Sequence, residues 1–128
     1  MSTKAISKRS KVAESPLTDL IIDAIQDIKG KNIVKLDLRH LSDASVDFFI
    51  ICTGDSTTQV KAISERIHKK VRDLVGISPI NVEGAKQAQW ILVDYFDIVV
   101  HVFYPETRAF YDLEDMWSDG KRTEYQNL

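Results

Sequence analysis

The run from Trp90 to Phe103, WILVDYFDIVVHVF, constrains this chain more than any other segment. Two apolar stretches flank a short polar break, the pattern of two strands joined by a hairpin. With the turn at Tyr95 and Phe96, antiparallel counting sets Asp94 opposite Asp97, Leu92 opposite Val99 and Trp90 opposite His101. One face of the hairpin is then Ile91, Val93, Ile98, Val100 and Val102, wholly aliphatic, and belongs beneath helices. The other carries Trp90, Leu92, Asp94, Asp97, Val99, His101 and Phe103. Aromatic, acidic and imidazole groups together are not what a core requires, and the mixture suits a surface that binds another protein.

The remaining segments supply the layers around this hairpin. Residues 1–14 are polar and basic with no apolar period, and are expected to form a flexible tail. Ser15 and Pro16 fit an N-cap and first turn, after which Leu17, Leu20, Ile21, Ala24, Ile25 and Ile28 fall on one helical stripe, closed by Lys29 and Gly30. From Val34 the period becomes two, with Val34, Leu36 and Leu38 alternating with Lys35, Asp37 and Arg39, a half-buried strand. After a loop over 39–46, the segment 47–53 (DFFIICT) is apolar on both faces and reads as a central strand. Gly54, Asp55 and Ser56 turn into a second helix with the stripe Val60, Ile63, Ile67, Val71 and Leu74, ended by Gly76. Pro79 opens a short strand through Ile80 and Val82, at an edge because proline cannot donate to a ladder. Pro105 starts a last helix with Phe110, Leu113, Met116 and Trp117 on one stripe, and 118–128 reads as a polar C-terminal tail. One domain over 15–117, a mixed β-sheet with helices packed on it, is the expected α/β (α+β) architecture, and 128 residues leave no room for a second large domain.

Charge narrows the function. The net charge is -2, but 87–120 carries seven acids, Asp94, Asp97, Glu106, Asp112, Glu114, Asp115 and Asp119, against Arg108 alone. Nucleic-acid grooves need clustered cations, so this acidic third suits a basic protein better than RNA. Lys61, Arg66, Lys69, Lys70 and Arg72 on the second helix keep an RNA contact open, although a solvated helix face accounts for them. No apolar run approaches the roughly 18 residues that span a bilayer, and the first residues offer no signal-peptide core. Cys52 is the single cysteine, so no internal disulfide can form, and a cytoplasmic location is expected.

Three features could carry chemistry. Asp94, Asp97 and His101 could hold a divalent cation for nucleotidyl transfer, though carboxylates placed opposite each other repel unless a cation or basic partner joins them. Residues 53–56 could receive a phosphate at a helix start, but no lysine follows the glycine and a capped helix N-terminus explains the same residues. Cys52 in an apolar strand is packing, and His101 beside Trp90 suits a structural or interface role better than that of a base.

The blocks DFFIICTGDSTTQVKAI from Asp47, VEG at 82–84, WILVDYFDIVVHVF and ETRAFYDLEDMW from Glu106 together resemble the Iojap family of ribosomal silencing factors, over about residues 17–117. The resemblance implies a fold related to nucleotidyltransferases without their catalytic carboxylate motif. It implies binding rather than catalysis, no cofactor or metal, no DNA or membrane partner, and a homodimer when free. The implied partner is ribosomal protein fourteen of the large subunit, on the face that meets the small subunit, so that joining is blocked and translation falls when nutrients are scarce. Family motif positions fall on Trp90, Asp94, Tyr95, His101, Glu106, Arg108, Tyr111 and Trp117, and Asp97 joins them from the hairpin face. Phe96 departs from the pattern, since many relatives have glycine there. The alternative is a metal-dependent nucleotidyltransferase-like enzyme centred on Asp94 and Asp97.

Overall fold

A short strand that is apolar on both sides can only be stable inside a covered sheet, and that requirement places the segment 47–53 at the centre. The computed structural model describes residues 14–128. In chain order these form α1 (Glu14–Asp27), β1 (Lys31–Asp37), β2 (Phe48–Thr53), α2 (Thr57–Val75), β3 (Asn81–Glu83), β4 (Trp90–Asp94), β5 (Ile98–Phe103), α3 (Pro105–Tyr111), α4 (Leu113–Met116) and β6 (Lys121–Glu124). The strands make one mixed sheet in the order β3-β4-β5-β2-β1-β6. β2 and β5 are parallel, which requires a crossover, and α2 lies in it; all other neighbours are antiparallel. The expected mixed-sheet α+β architecture is what the chain adopts.

Helices α1 and α2 cover one face. Ile21 and Ile25 of α1 and Val60, Ile63, Ile67 and Val71 of α2 bury against Ile50, Cys52, Ile91, Val93, Val100 and Val102 of the strands. The aliphatic face of the hairpin thus lies under helices, as its composition demands. Leu74, expected on the same stripe, is 66% exposed. Residues 72–78 are all exposed, so the last turn of α2 has run past the sheet. At the end of α1 the left-handed position belongs to Lys29 (φ 65°) rather than Gly30. The N–H of Lys29 donates to the Gln26 carbonyl and that of Gly30 to the Ile25 carbonyl, closing a Schellman motif. Glycine serves there for space, since a Cβ would collide with Ile25 Cγ2.

Three expectations fail. The hairpin pairs Trp90 with Phe103, Leu92 with His101 and Asp94 with Val99, two residues away from the register counted from the sequence. Tyr95 N–H donates to the Ile98 carbonyl, so Phe96 and Asp97 form the tip and Phe96 takes φ 76°. Asp94 therefore does not face Asp97. The helix from Pro105 is not continuous: Asp112 adopts φ 47° and divides it into α3 and α4. Leu113 and Trp117 turn inward to pack beside Val34, Leu36, Leu38, Ile51 and Phe103, while Phe110 and Met116 are left 80% and 71% exposed. Finally, 118–128 is not a tail outside the domain. β6 pairs antiparallel with β1 from Asp37–Lys121 to Val34–Glu124, Tyr125 N–H donates to the Ile33 carbonyl, and Asn127 Oδ1 accepts from Asn32 N–H. The helix expected to begin with a cap at Ser15 starts at Glu14, and the rest of the expected N-terminal tail lies outside the described residues.

Candidate protein-docking face

The sheet face away from α1 and α2 is only partly covered, by α3, α4 and the residues that follow them. Along β4, Trp90, Leu92 and Asp94 alternate onto this face, each partly buried. The Trp90 ring is held between Phe103 and Tyr111, with both centroids 4.9 Å away, and its Nε1–H donates to His101 Nδ1 at 3.1 Å. Phe49 of β2 meets His101 edge-on at 4.7 Å and Trp117 edge-on at 5.8 Å. These contacts tie β2, β4, β5, α3 and α4 into one aromatic layer. Beside it, a groove of about 540 Å³ runs between Gln87 and Gln89 on one side and Glu106, Phe110 and Tyr111 on the other.

Arg108 fixes α3 and α4 to the sheet. Its Nε and Nη2 grip both carboxylate oxygens of Glu114 at 2.9 and 3.0 Å, and Nη1 reaches the Asn32 carbonyl at 2.7 Å and Thr53 Oγ1 at 2.8 Å. Arg122 of β6 adds a third bond to Glu114 at 2.9 Å. The two arginines, Arg108's hydrogen bonds first, hold the Glu114 carboxyl below the ordinary glutamate range.

Acids gather at the hairpin tip. The Asp97 carbonyl accepts the N–H groups of Asp47 and Phe48, which brings the loop before β2 against the tip. Partial burial, and then the nearby Asp97 carboxylate, raise the Asp47 pKa. Asp94 turns its carboxylate to the Phe96 N–H at 2.7 Å and so caps the tip. Among the described residues no cluster of three or more metal-ligating side chains forms. The opposed carboxylates that motivated a metal reading are also absent, because Asp94 lies across from Val99.

The site residues expected from the sequence divide by exposure. Glu106 and Asp97 are exposed, Tyr111 is 51% exposed, and Trp90 and Asp94 are partly so. Tyr95 and His101 are not surface groups. Tyr95 is 8% exposed within the helix-side core, its hydroxyl unpaired and its pKa pushed up to about 12 by burial. His101 is 4% exposed, and burial lowers its pKa to about 4. Period two puts Tyr95 on the side opposite Asp94, while His101 is roofed by Phe49 and Trp90. Phe49 escaped the sequence reading because the apolar run around it carries no sign of which phenylalanine faces outward. The exposed Phe110 and Met116 escaped through the break at Asp112.

The other candidate features have bland explanations in the geometry. Ser56 Oγ caps α2 by accepting from Gln59 N–H, Gln59 Oε1 takes the Asp55 N–H, and the Gly54 N–H goes to the Phe103 carbonyl, as in a capped helix start. Cys52 is fully buried, with its thiol pKa pushed up to about 12. On α2, Arg66 and Lys70 share Asp27, and Lys69 and Arg72 share Asp73, so ion pairs within the fold occupy four of the five cations.

Comparison with known proteins decides the family. Residues 11–128 match the family model described as "Ribosomal silencing factor during starvation". The chain belongs to this family. It is 38% identical to ribosomal silencing factor RsfS of Halalkalibacterium halodurans over 117 residues, 91% of this chain and 98% of that one. RsfS of Chromobacterium violaceum is 39% identical over 105 residues, 82% of this chain and 84% of the relative. The chloroplastic Iojap protein of Zea mays is 37% identical over 99 residues, 76% of this chain and 41% of that protein. A crystal structure of a Chromobacterium violaceum protein superposes with a TM-score of 0.77 at 36% identity, covering 88% of this chain and 92% of that one. Membership of the ribosomal silencing factor family makes this a ribosome-associated regulator of translation.

Proposed function

We propose that this protein binds the large ribosomal subunit through ribosomal protein fourteen and blocks its association with the small subunit, lowering translation when nutrients are scarce. The observation that carries this reading is the partly exposed Trp90–Tyr111 aromatic layer with Glu106 in the adjoining groove and the acids Asp94 and Asp97 at the other end of the same hairpin, in a chain of the ribosomal silencing factor family. Aromatic anchors with a polar rim are the usual make-up of a protein interface, and an acidic rim steers a basic partner. Trp90, Asp94, Asp97, Glu106 and Tyr111 are the direct contacts; Tyr95, His101 and Arg108 support them from inside.

The mechanism is occlusion by mass action. A protein that occupies the joining face removes large subunits from the association equilibrium in proportion to its concentration over its Kd, with no turnover and no cofactor. A patch of about 800 Å² per partner is enough for specific binding. The free protein is a cytoplasmic homodimer in this reading, with no DNA or membrane partner.

Light scattering during the joining of purified subunits tests it. Dose-dependent loss of joined ribosomes without nucleotide is expected, and unchanged joining at saturating protein would overturn the proposal. Asp94→Asn with Asp97→Asn should weaken binding to large subunits and flatten its salt dependence. The rival enzyme predicts a stoichiometric heat on Mn²⁺ titration of the unmodified protein, lost in Asp94→Asn.

A further inference from the structure

His101 presents a cost that the fold alone does not require. An indole N–H can only donate, so the 3.1 Å contact from Trp90 Nε1 makes His101 Nδ1 the acceptor. The neutral ring then carries its proton on Nε2, and that atom is buried with no hydrogen-bond partner. A buried donor left unpaired is unfavourable, and its surroundings, Phe49, Phe103 and Ile51, would accept an aliphatic side chain. A residue chosen for stability alone would not be histidine here.

What the imidazole supplies is an acceptor under the docking face. Phe103 and Tyr111 grip the Trp90 ring by tilted aromatic contacts, at interplanar angles of 31° and 48°, which are non-directional compared with a hydrogen bond. Among the described residues, the bond to Nδ1 is the indole's hydrogen bond, and it fixes which edge of the ring points inward and therefore which edge meets a partner. Resting on the reading that this face docks the large subunit, we propose that His101 is a positioning residue: its Nδ1 holds the Trp90 indole in its binding orientation, and the unpaired Nε2–H is tolerated because that acceptor is needed. Burial keeps the ring neutral at ordinary pH, so the acceptor persists.

Two full-chain variants separate positioning from structure. His101→Leu removes both the acceptor and the orphaned donor in nearly the same volume; His101→Gln returns an acceptor oxygen but buries an extra amide. In His101→Leu the thermal midpoint should be no lower than in the unmodified protein, the Trp90 indole N–H should move upfield and exchange faster by NMR, and affinity for isolated large subunits should fall about tenfold, or about 1.4 kcal/mol. His101→Gln should melt lower yet regain most of the affinity. Affinity that follows melting temperature in both variants, or an unshifted indole signal with unchanged binding in His101→Leu, overturns the proposal. If the unmodified protein does not bind large subunits, the functional reading falls, and the indole signal still decides whether His101 holds Trp90.

Discussion

Replacing Arg108 with methionine should be the most destabilising change at any polar residue of the docking face. The guanidinium makes four hydrogen bonds, two to Glu114 and one each to the Asn32 carbonyl and Thr53 Oγ1, with the ionic side chains only 13% and 17% exposed. Removing one member of a buried ion pair costs about 3 to 5 kcal/mol, because the partner is left charged and desolvated. Glu114 retains Arg122, whose side chain is 43% exposed, so the lower end applies, about 3 kcal/mol. For a domain of this size that is a fall in Tm of roughly 12 °C. Arg108→Lys keeps the charge but cannot form the fork, and should recover less than half of the loss. The acid limb gives a second reading. The folded pKa of Glu114 is depressed, chiefly by Arg108, so its contribution is present above the unfolded value of about 4.3 and is lost as pH falls through the lower folded value. Urea melts of the unmodified protein should therefore lose stability below about pH 5, and Arg108→Met should lose less over the same interval. A change under about 1 kcal/mol at pH 7, or acid limbs that run parallel, would refute the clamp.

Phe96→Gly should raise Tm by several degrees, since a side chain at φ 76° costs about 1 kcal/mol that glycine avoids; an unchanged or lower Tm would count against the tip geometry. Ending the chain after Trp117 removes β6 and should speed hydrogen exchange at the β1 amides and lower Tm, whereas unchanged melting would restore the segment to a tail. Cys52 should resist iodoacetamide at pH 8 in the native protein and react in urea, because the thiol is enclosed and stays protonated.

The sheet faces were legible in the sequence for a reason of parity. Side chains alternate with period two, so the hairpin could slip by two residues and still keep Ile91, Val93, Val100 and Val102 beneath the helices. A slip of one would have inverted every assignment. The slip itself was not legible from residue preference, because phenylalanine does not favour a left-handed backbone; only the glycine that many relatives carry at this position pointed to it, and the conformation follows from closing Tyr95 N–H on the Ile98 carbonyl. β6 was hidden for a different cause. Every residue of Lys121–Glu124 is exposed and none is apolar, so its long-range pairing with β1 is what makes it a strand. Charged side chains on such an edge also discourage further pairing.

The candidate site divides along the same line between local pattern and tertiary cover. Trp90, Asp94, Tyr95, His101 and Arg108 look equivalent as recognition chemistry in the sequence, yet Tyr95 falls in the core under α1 and α2, His101 lies under Phe49 and Trp90, and the cover formed by α3 and α4 encloses Arg108. The shape of that cover depends on one left-handed residue, Asp112, which sends Leu113 and Trp117 inward and sets Trp117 against Phe49. Without that break, Phe110, Leu113, Met116 and Trp117 would form one stripe, and Trp117 would lose the turn that brings it edge-on to Phe49, the ring that lies on His101. Polar residues thus enter the interior here by two routes, Tyr95 through the alternation of its own strand and His101 and Arg108 through the side chains and elements that cover them. Once enclosed they support their neighbours, His101 by accepting from Trp90 and Arg108 by anchoring the helix that carries Glu106 and Tyr111. Exposure, which no sequence period reports, therefore decides which polar residues of this face touch a partner and which hold the others in place.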